Sequence, residues 1–70
     1  MKVSIREDQC NGRARLMVYR PRERAYSLPG NAYETKSGFW IVTVLGEPPD
    51  VAYHKREATN RLLAYYEAQP

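Results

Sequence analysis

Few residues in this chain are able to do covalent or acid–base chemistry. His54 is the one histidine and Cys10 the one cysteine among 70 residues. A metal site or a nucleophile–base pair needs several such groups at set spacings, and His54 has no second histidine, serine or cysteine placed to work with it. Between Tyr53 and Lys55, at the start of a helical pattern, it reads as a surface or capping residue. Cys10 stands beside a tight turn, opposite Arg13, where exposure is expected and a single cysteine is incidental. Glu34, Glu47 and Asp50 would meet at strand ends if they formed an acid–base pair, but nothing in their spacing asks for it, and solvated loop acids are the simpler reading. The glycines mark turns, and no phosphate-cradling loop is spelled out. The expectation is a non-enzymatic protein with no cofactor and no metal.

Binding chemistry is better represented. The net charge of +3 is unevenly placed: residues 1–24 carry Lys2, Arg6, Arg13, Arg15, Arg20, Arg22 and Arg24 against Glu7, Asp8 and Glu23, a balance of +4, while the rest of the chain sums to −1. A basic half points to an anionic partner. Tyr19 stands among these arginines and would stack or hydrogen-bond. The candidate binding set is therefore Lys2, Arg6, Arg13, Arg15, Tyr19, Arg20, Arg22 and Arg24.

The element that must position them is a β-hairpin over residues 2–24, folded about Asn11-Gly12. Asn-Gly between two alternating runs is the strongest short-range hairpin signal, because both central residues of a type I′ turn need positive φ. That turn pairs Cys10 with Arg13, Asp8 with Arg15, Arg6 with Met17, Ile5 with Val18 and Ser4 with Tyr19. Val3, Ile5, Ala14, Leu16 and Val18 then share one face, and Lys2, Ser4, Arg6, Arg15, Met17 and Tyr19 the other. One face is a core; the other is positive, with an aromatic among the arginines.

Pro21 cannot donate to a ladder, so the second strand should end at or before it, leaving 20–24 as a charged connector. Residues 25–28 read as a short extended piece, Pro29-Gly30-Asn31 as a turn with Gly30 supplying positive φ, and residues 32–36 as extended again. Residues 39–45 are aromatic and β-branched, the clearest strand in the chain. A two-residue Ser37-Gly38 loop would set Thr35 opposite Trp40 and Tyr33 opposite Val42. Trp40, Val42, Val44 and Tyr33 would then face the core, with Phe39, Ile41 and Thr43 on the other side as a strip open to a partner. Pro48-Pro49-Asp50 breaks the strand. A helix could begin at Asp50, or residues 51–54 could be extended before a helix over 55–67, and the second is preferred. Its apolar stripe is Ala58, Leu62 and Tyr65, flanked by Val51 and Tyr66, with Leu63 off the stripe and Glu57–Arg61 a favourable i, i+4 pair. Pro70 ends the chain.

These elements predict an α+β fold: one domain over 1–70, an antiparallel sheet of three or four strands with one C-terminal helix packed across one face. The core would be Val3, Ile5, Leu16, Val18, Trp40, Val42, Leu62 and Tyr65. So short a chain has a thin core, which keeps a homodimer in view through the Phe39/Ile41/Thr43 strip or an open sheet edge. No apolar run approaches the roughly 20 residues that span a bilayer, and the start lacks the apolar core of a signal peptide, so a cytoplasmic protein without a membrane partner is expected. In layout, a three-stranded sheet followed by a helix resembles the arm-binding domains of tyrosine recombinases. Val42-Thr43-Val44, then Lys55-Arg56-Glu57-Ala58 running into Leu62-Leu63, resembles the last strand and helix of double-stranded-RNA-binding domains, although residues 1–5 are strand-like where that family has a helix. Both likenesses are of layout, and no functional residue is carried over from either.

Two functions fit. The first is a small basic module contacting nucleic acid or a nucleoprotein complex through the outer face of the hairpin, since a two-stranded ribbon fits a major groove and a positive aromatic sheet face holds single strands. The second is a phage- or plasmid-type accessory protein that docks on an acidic protein surface and inhibits a host complex, for example a nucleic-acid-targeting defence complex. Its anchors would be the 20–24 connector, Tyr26, Tyr33, Leu63 and Tyr66.

Overall fold

The computed structural model describes residues 2–68; Met1 at the strand-like start and Pro70 at the chain end lie outside the described residues. Five antiparallel strands form one sheet in chain order: β1 (Ser4–Cys10), β2 (Arg13–Arg20), β3 (Ala25–Glu34), β4 (Trp40–Val44) and β5 (Asp50–Ala52). One helix, α1 (Lys55–Glu67), packs across one face. The fold is therefore α+β as expected, but the sheet is larger than three or four strands. Residues 50–52 pair with β4 as a short edge strand, and β3 has two pairing arms, which gives six strand segments when the arms are counted apart.

The first hairpin has the register the Asn-Gly turn dictates. Ser4 pairs with Tyr19, Ile5 with Val18, Arg6 with Met17, Asp8 with Arg15 and Cys10 with Arg13. Asn11 and Gly12 both take positive φ, 55° and 76°, as a type I′ turn demands. The pleat then sends Val3, Leu16 and Val18 into the core, with Ile5 and Ala14 partly buried against it. The second strand ends at Arg20, immediately before Pro21.

The β3–β4 register differs from the expected one. The Thr35 amide donates to the Phe39 carbonyl at 2.8 Å, closing a three-residue loop over Lys36-Ser37-Gly38, with Gly38 at φ 90°. A type I turn followed by a left-handed glycine is the usual three-residue solution. One added loop residue slips the pairing by one, so Glu34 faces Trp40 and Tyr33 faces Ile41. Trp40 and Val42 remain in the core, where Ala32 joins them, while Tyr33 moves to the opposite face with Ile41 and Thr43.

Gly30 is also used differently. Its φ is not positive, and it lies buried inside β3 where the register shifts between Met17 and Tyr19 of β2. A Cβ there would come within 2.7 Å of the Ser27 carbonyl oxygen and 2.9 Å of the Tyr66 hydroxyl, so the position needs glycine for room.

The helix begins where preferred, with His54 as its N-cap residue in extended conformation and no side-chain cap bond. Asp50 belongs to β5, so the helix start that it offered is not used. Glu57 in the first turn reaches back past the N-cap, its Oε1 accepting the Tyr53 amide at 2.9 Å and so tying the incoming chain to the helix start. Ala58, Leu62 and Tyr66 make the buried stripe; Tyr65 and Leu63 pack partly against it. Tyr66 replaces Tyr65 because the buried stripe is centred on fully buried Leu62, from which Tyr66 lies about 40° around the helix and Tyr65 about 60° to the other side. Tyr65 instead donates its hydroxyl to the Leu45 carbonyl, tying the helix to the end of β4.

Candidate nucleic-acid interface

Because α1 covers one side of the sheet, the other side is left without a covering element among the described residues. The registers place Arg6 and Asp8 of β1, Arg13, Arg15, Met17 and Tyr19 of β2, Tyr26, Asn31 and Tyr33 of β3, Ile41 and Thr43 of β4, and Val51 of β5 on that open face. Glu7, Glu34 and Asp50 take the opposite parity, so Asp8 is the one strand carboxylate on the open side.

The hairpin cations are in three different situations. Arg6 is exposed, and its guanidinium carbon lies 3.7 Å from the centroid of the Tyr19 ring, a cation–π contact on the diagonal between β1 and β2. Tyr26 meets the same Tyr19 ring edge to face, 5.2 Å between centroids. Lys2, next to buried Val3, is exposed, and Arg13 is half-buried at the far end of the hairpin. Among the described residues neither these two nor Arg6 forms an ion pair.

Arg15 is the second situation. It forms a two-pronged pair with Asp8 directly across the ladder, Nε to Oδ1 at 2.9 Å and Nη2 to Oδ2 at 2.7 Å. The hydrogen bonds from Arg15 hold the Asp8 carboxyl below its ordinary range and push the guanidinium further up. Arg15 is thus on the right face but already has an anion.

Arg20, Arg22 and Arg24 make the third. Arg20 has the core-side parity of Leu16 and Val18; its Nε donates to the buried Ser27 hydroxyl, and it pairs with Glu23 at 3.5 Å. It is a structural residue at the sheet end, apart from the open-face cluster. Arg22 and Arg24 are exposed in the turn between β2 and β3, where the Glu23 and Arg24 amides donate to the Arg20 and Pro21 carbonyls.

The tyrosines of β3 escaped the sequence reading of the nucleic-acid surface. Tyr26 and Tyr33 are 42 % and 44 % exposed, and Tyr53, just past β5, is 69 % exposed. Alternation along β3 was readable in principle, but it required the three-residue loop to put Tyr33 on this side. Tyr66, by contrast, is buried and Leu63 half-buried, which removes the first and limits the second as surface anchors. The β1–β2 hairpin is not a projecting ribbon, since β2 is paired along both edges and only the turn around Asn11-Gly12 extends past β3.

The residues considered for chemistry stay apart. His54 and Cys10 are both exposed, and no hydrogen bond joins either to another side chain among the described residues. Asp50 binds Arg61 and accepts the Val51 amide, and with Glu47 it lines an open cleft between α1 and the β4–β5 loop, while Glu34 borders a different cleft beside Arg13 and Tyr33. Among the described residues no group of histidine, cysteine and acidic side chains is arranged to hold a metal ion, and no helix is long and apolar enough to cross a membrane. No family model, curated protein or solved structure matches this chain.

Proposed function

We propose that this chain is a non-enzymatic binding module that contacts nucleic acid, or a nucleoprotein complex, through the outer face of its N-terminal hairpin. The observation that carries the reading is the sorting of charge. Arg6, Arg13 and Arg15 share one sheet face with Tyr19, Lys2 precedes it, and Asp8 is the one strand carboxylate there. A phosphate backbone meets such a face with little like-charge repulsion, and the Tyr19 ring under the Arg6 guanidinium biases that cation to stay on the face.

Substituting Arg6, Arg15 and Arg22 together by alanine should abolish oligonucleotide binding with the circular dichroism spectrum unchanged. About five phosphate contacts predict a slope of log K against log salt of roughly −4 to −5 on duplex DNA, shallower on single strands. A binding curve unmoved by salt or by the triple substitution would end this reading.

A second reading, docking on an acidic protein surface to inhibit a host complex, is favoured by the exposed Arg22 and Arg24 at the turn and by Tyr26 beside them. Arginine and tyrosine are common interface anchors. Recovery of one protein partner after nuclease treatment supports that reading over the first.

A further inference from the structure

We propose that the nucleic acid this module takes is single-stranded, laid across the helix-free sheet face with bases stacked on Tyr33 and Tyr26. The inference rests on the nucleic-acid reading above and adds the form of the ligand. Width is the first argument. Five strands at about 4.8 Å spacing place the outermost about 19 Å apart, too broad for a major groove of about 12 Å. The hairpin cannot enter a groove alone, because β3 is paired to β2 from Arg15 to Arg20.

Surface chemistry is the second. Tyr33 and Tyr26 stand on the outer side of β3, opposite Arg15 and Tyr19 of β2, and each keeps more than two-fifths of its area in solvent. Arg15 and Tyr19 are four positions apart on β2, so the backbone positions of the two β3 tyrosines facing them are about 13 Å apart along the strand direction and their rings serve as separate stacking platforms. Asn31 lies between them and pairs across with Thr43 of β4; its side-chain amide makes no hydrogen bond among the described residues. A duplex hides its base edges and ring faces from a flat sheet, whereas a single strand offers both. Charge complementarity completes the case: Arg6 flanks the tyrosines and Arg13 stands at the turn beyond Tyr33, both without carboxylate partners among the described residues.

The test is fluorescence anisotropy with three labelled probes of equal length: oligothymidylate, an abasic oligonucleotide with the same phosphates, and a duplex. Oligothymidylate should bind at least about tenfold tighter than the abasic strand, since one stacked base is worth on the order of tenfold or more in affinity. Tyr33→Ala should lose about tenfold on oligothymidylate and little on the abasic strand, while Tyr33→Trp retains affinity. Tyr33 is on the open face, so both variants should keep the wild-type circular dichroism. Equal binding of all three probes, with Tyr33→Ala indistinguishable from wild type but the triple arginine variant inactive, overturns the single-strand inference and leaves the nucleic-acid reading standing. Binding of none of the probes, including the case in which only a protein partner is captured, overturns both.

Discussion

Arg6 and Tyr19 meet across a diagonal of the β1–β2 ladder, guanidinium carbon over the ring at 3.7 Å from its centroid. An exposed contact of this kind is worth about 0.5–1 kcal/mol, too little to decide the fold but enough to restrict where a long flexible side chain spends its time. The sheet thereby holds a cation ready on its open face, with the ring as support.

Replacing Arg6 by lysine separates charge from planarity. An ammonium keeps the charge but loses the flat stacking geometry and the fork of donors. Oligonucleotide affinity should fall several-fold in Arg6→Lys and further in Arg6→Ala, with unfolding free energies from urea denaturation within about 1 kcal/mol of wild type. Equal affinity for wild type and Arg6→Ala would remove Arg6 from the interface.

Asp8 acts against anion binding. Its carboxylate engages both prongs of Arg15, and Asp8→Asn should free that guanidinium and strengthen binding to oligonucleotides several-fold. The same pair has a pH signature. Because the Asp8 carboxyl is held below its ordinary range, the stability it contributes is present above the ordinary carboxylate pKa and lost as pH falls through the lowered one. The acid arm of the wild-type stability curve should therefore be slightly steeper than that of Asp8→Asn, with only a small difference because both partners are solvent-exposed. Weaker oligonucleotide binding by Asp8→Asn would show that Arg15 needs its partner to be placed correctly.

How much of this was legible in the sequence depends on how local the determining contacts are. Asn11-Gly12 sets the first register by turn geometry alone, and every cross-strand pair derived from it is present. The second hairpin differs from its expected register by one residue, because Lys36-Ser37-Gly38 accommodates a two- or a three-residue loop and the choice is made by seating Ala32, in place of Tyr33, beside Trp40 and Val42 in the core. That single slip decided whether Tyr33 belonged to the core or to the binding face. The use of Arg20 and Gly30 was not legible at all. Arg20 is held by Ser27, Gly30 leaves room that the Ser27 carbonyl and the Tyr66 hydroxyl crowd, and contacts that run across strands and onto the helix leave no trace in local pattern. The positive half was readable from charge, but the Asp8–Arg15 pairing that silences one of its members followed only once the register placed them opposite each other.

Gly30→Ala tests the claim that β3 is packed to contact at its register shift. The added methyl would meet the Ser27 carbonyl, a backbone atom that cannot swing aside, as well as the Tyr66 hydroxyl. Overpacking of this kind costs typically about 1–3 kcal/mol, a large share of the stability of so small a domain. Chemical denaturation should show a lower midpoint with an unchanged slope. The control is Gly12→Ala in the exposed turn, where no atom lies within 4 Å but φ is 76°, so its loss comes from backbone strain alone, about 1–2 kcal/mol. A Gly30→Ala protein as stable as wild type would show that the strand relaxes freely around Gly30.

Tyr66 links the helix to the end of β4 and to Gly30, and its phenol should make the fold sensitive to alkali. Burial pushes its pKa up, an effect opposed in part by the Leu45 amide, which donates to the hydroxyl at 3.4 Å. In the unfolded chain the phenol ionises near its ordinary value of about 10, before it does in the folded protein. The unfolded state therefore releases its proton first. The contribution to stability is fully present below pH 10 or so and is lost as pH rises through the higher folded value. Tyr66→Phe removes this titration but also leaves the Leu45 amide without that acceptor, at a cost of about 0.5–1.5 kcal/mol. Urea midpoints at pH 8 and pH 11 distinguish the two effects. Tyr66→Phe should be the less stable protein at pH 8 and should lose less between the two pH values. A loss as great as that of wild type would assign the alkaline sensitivity to the exposed tyrosines and lysines, and Tyr66 would then count in this fold only as a buried ring.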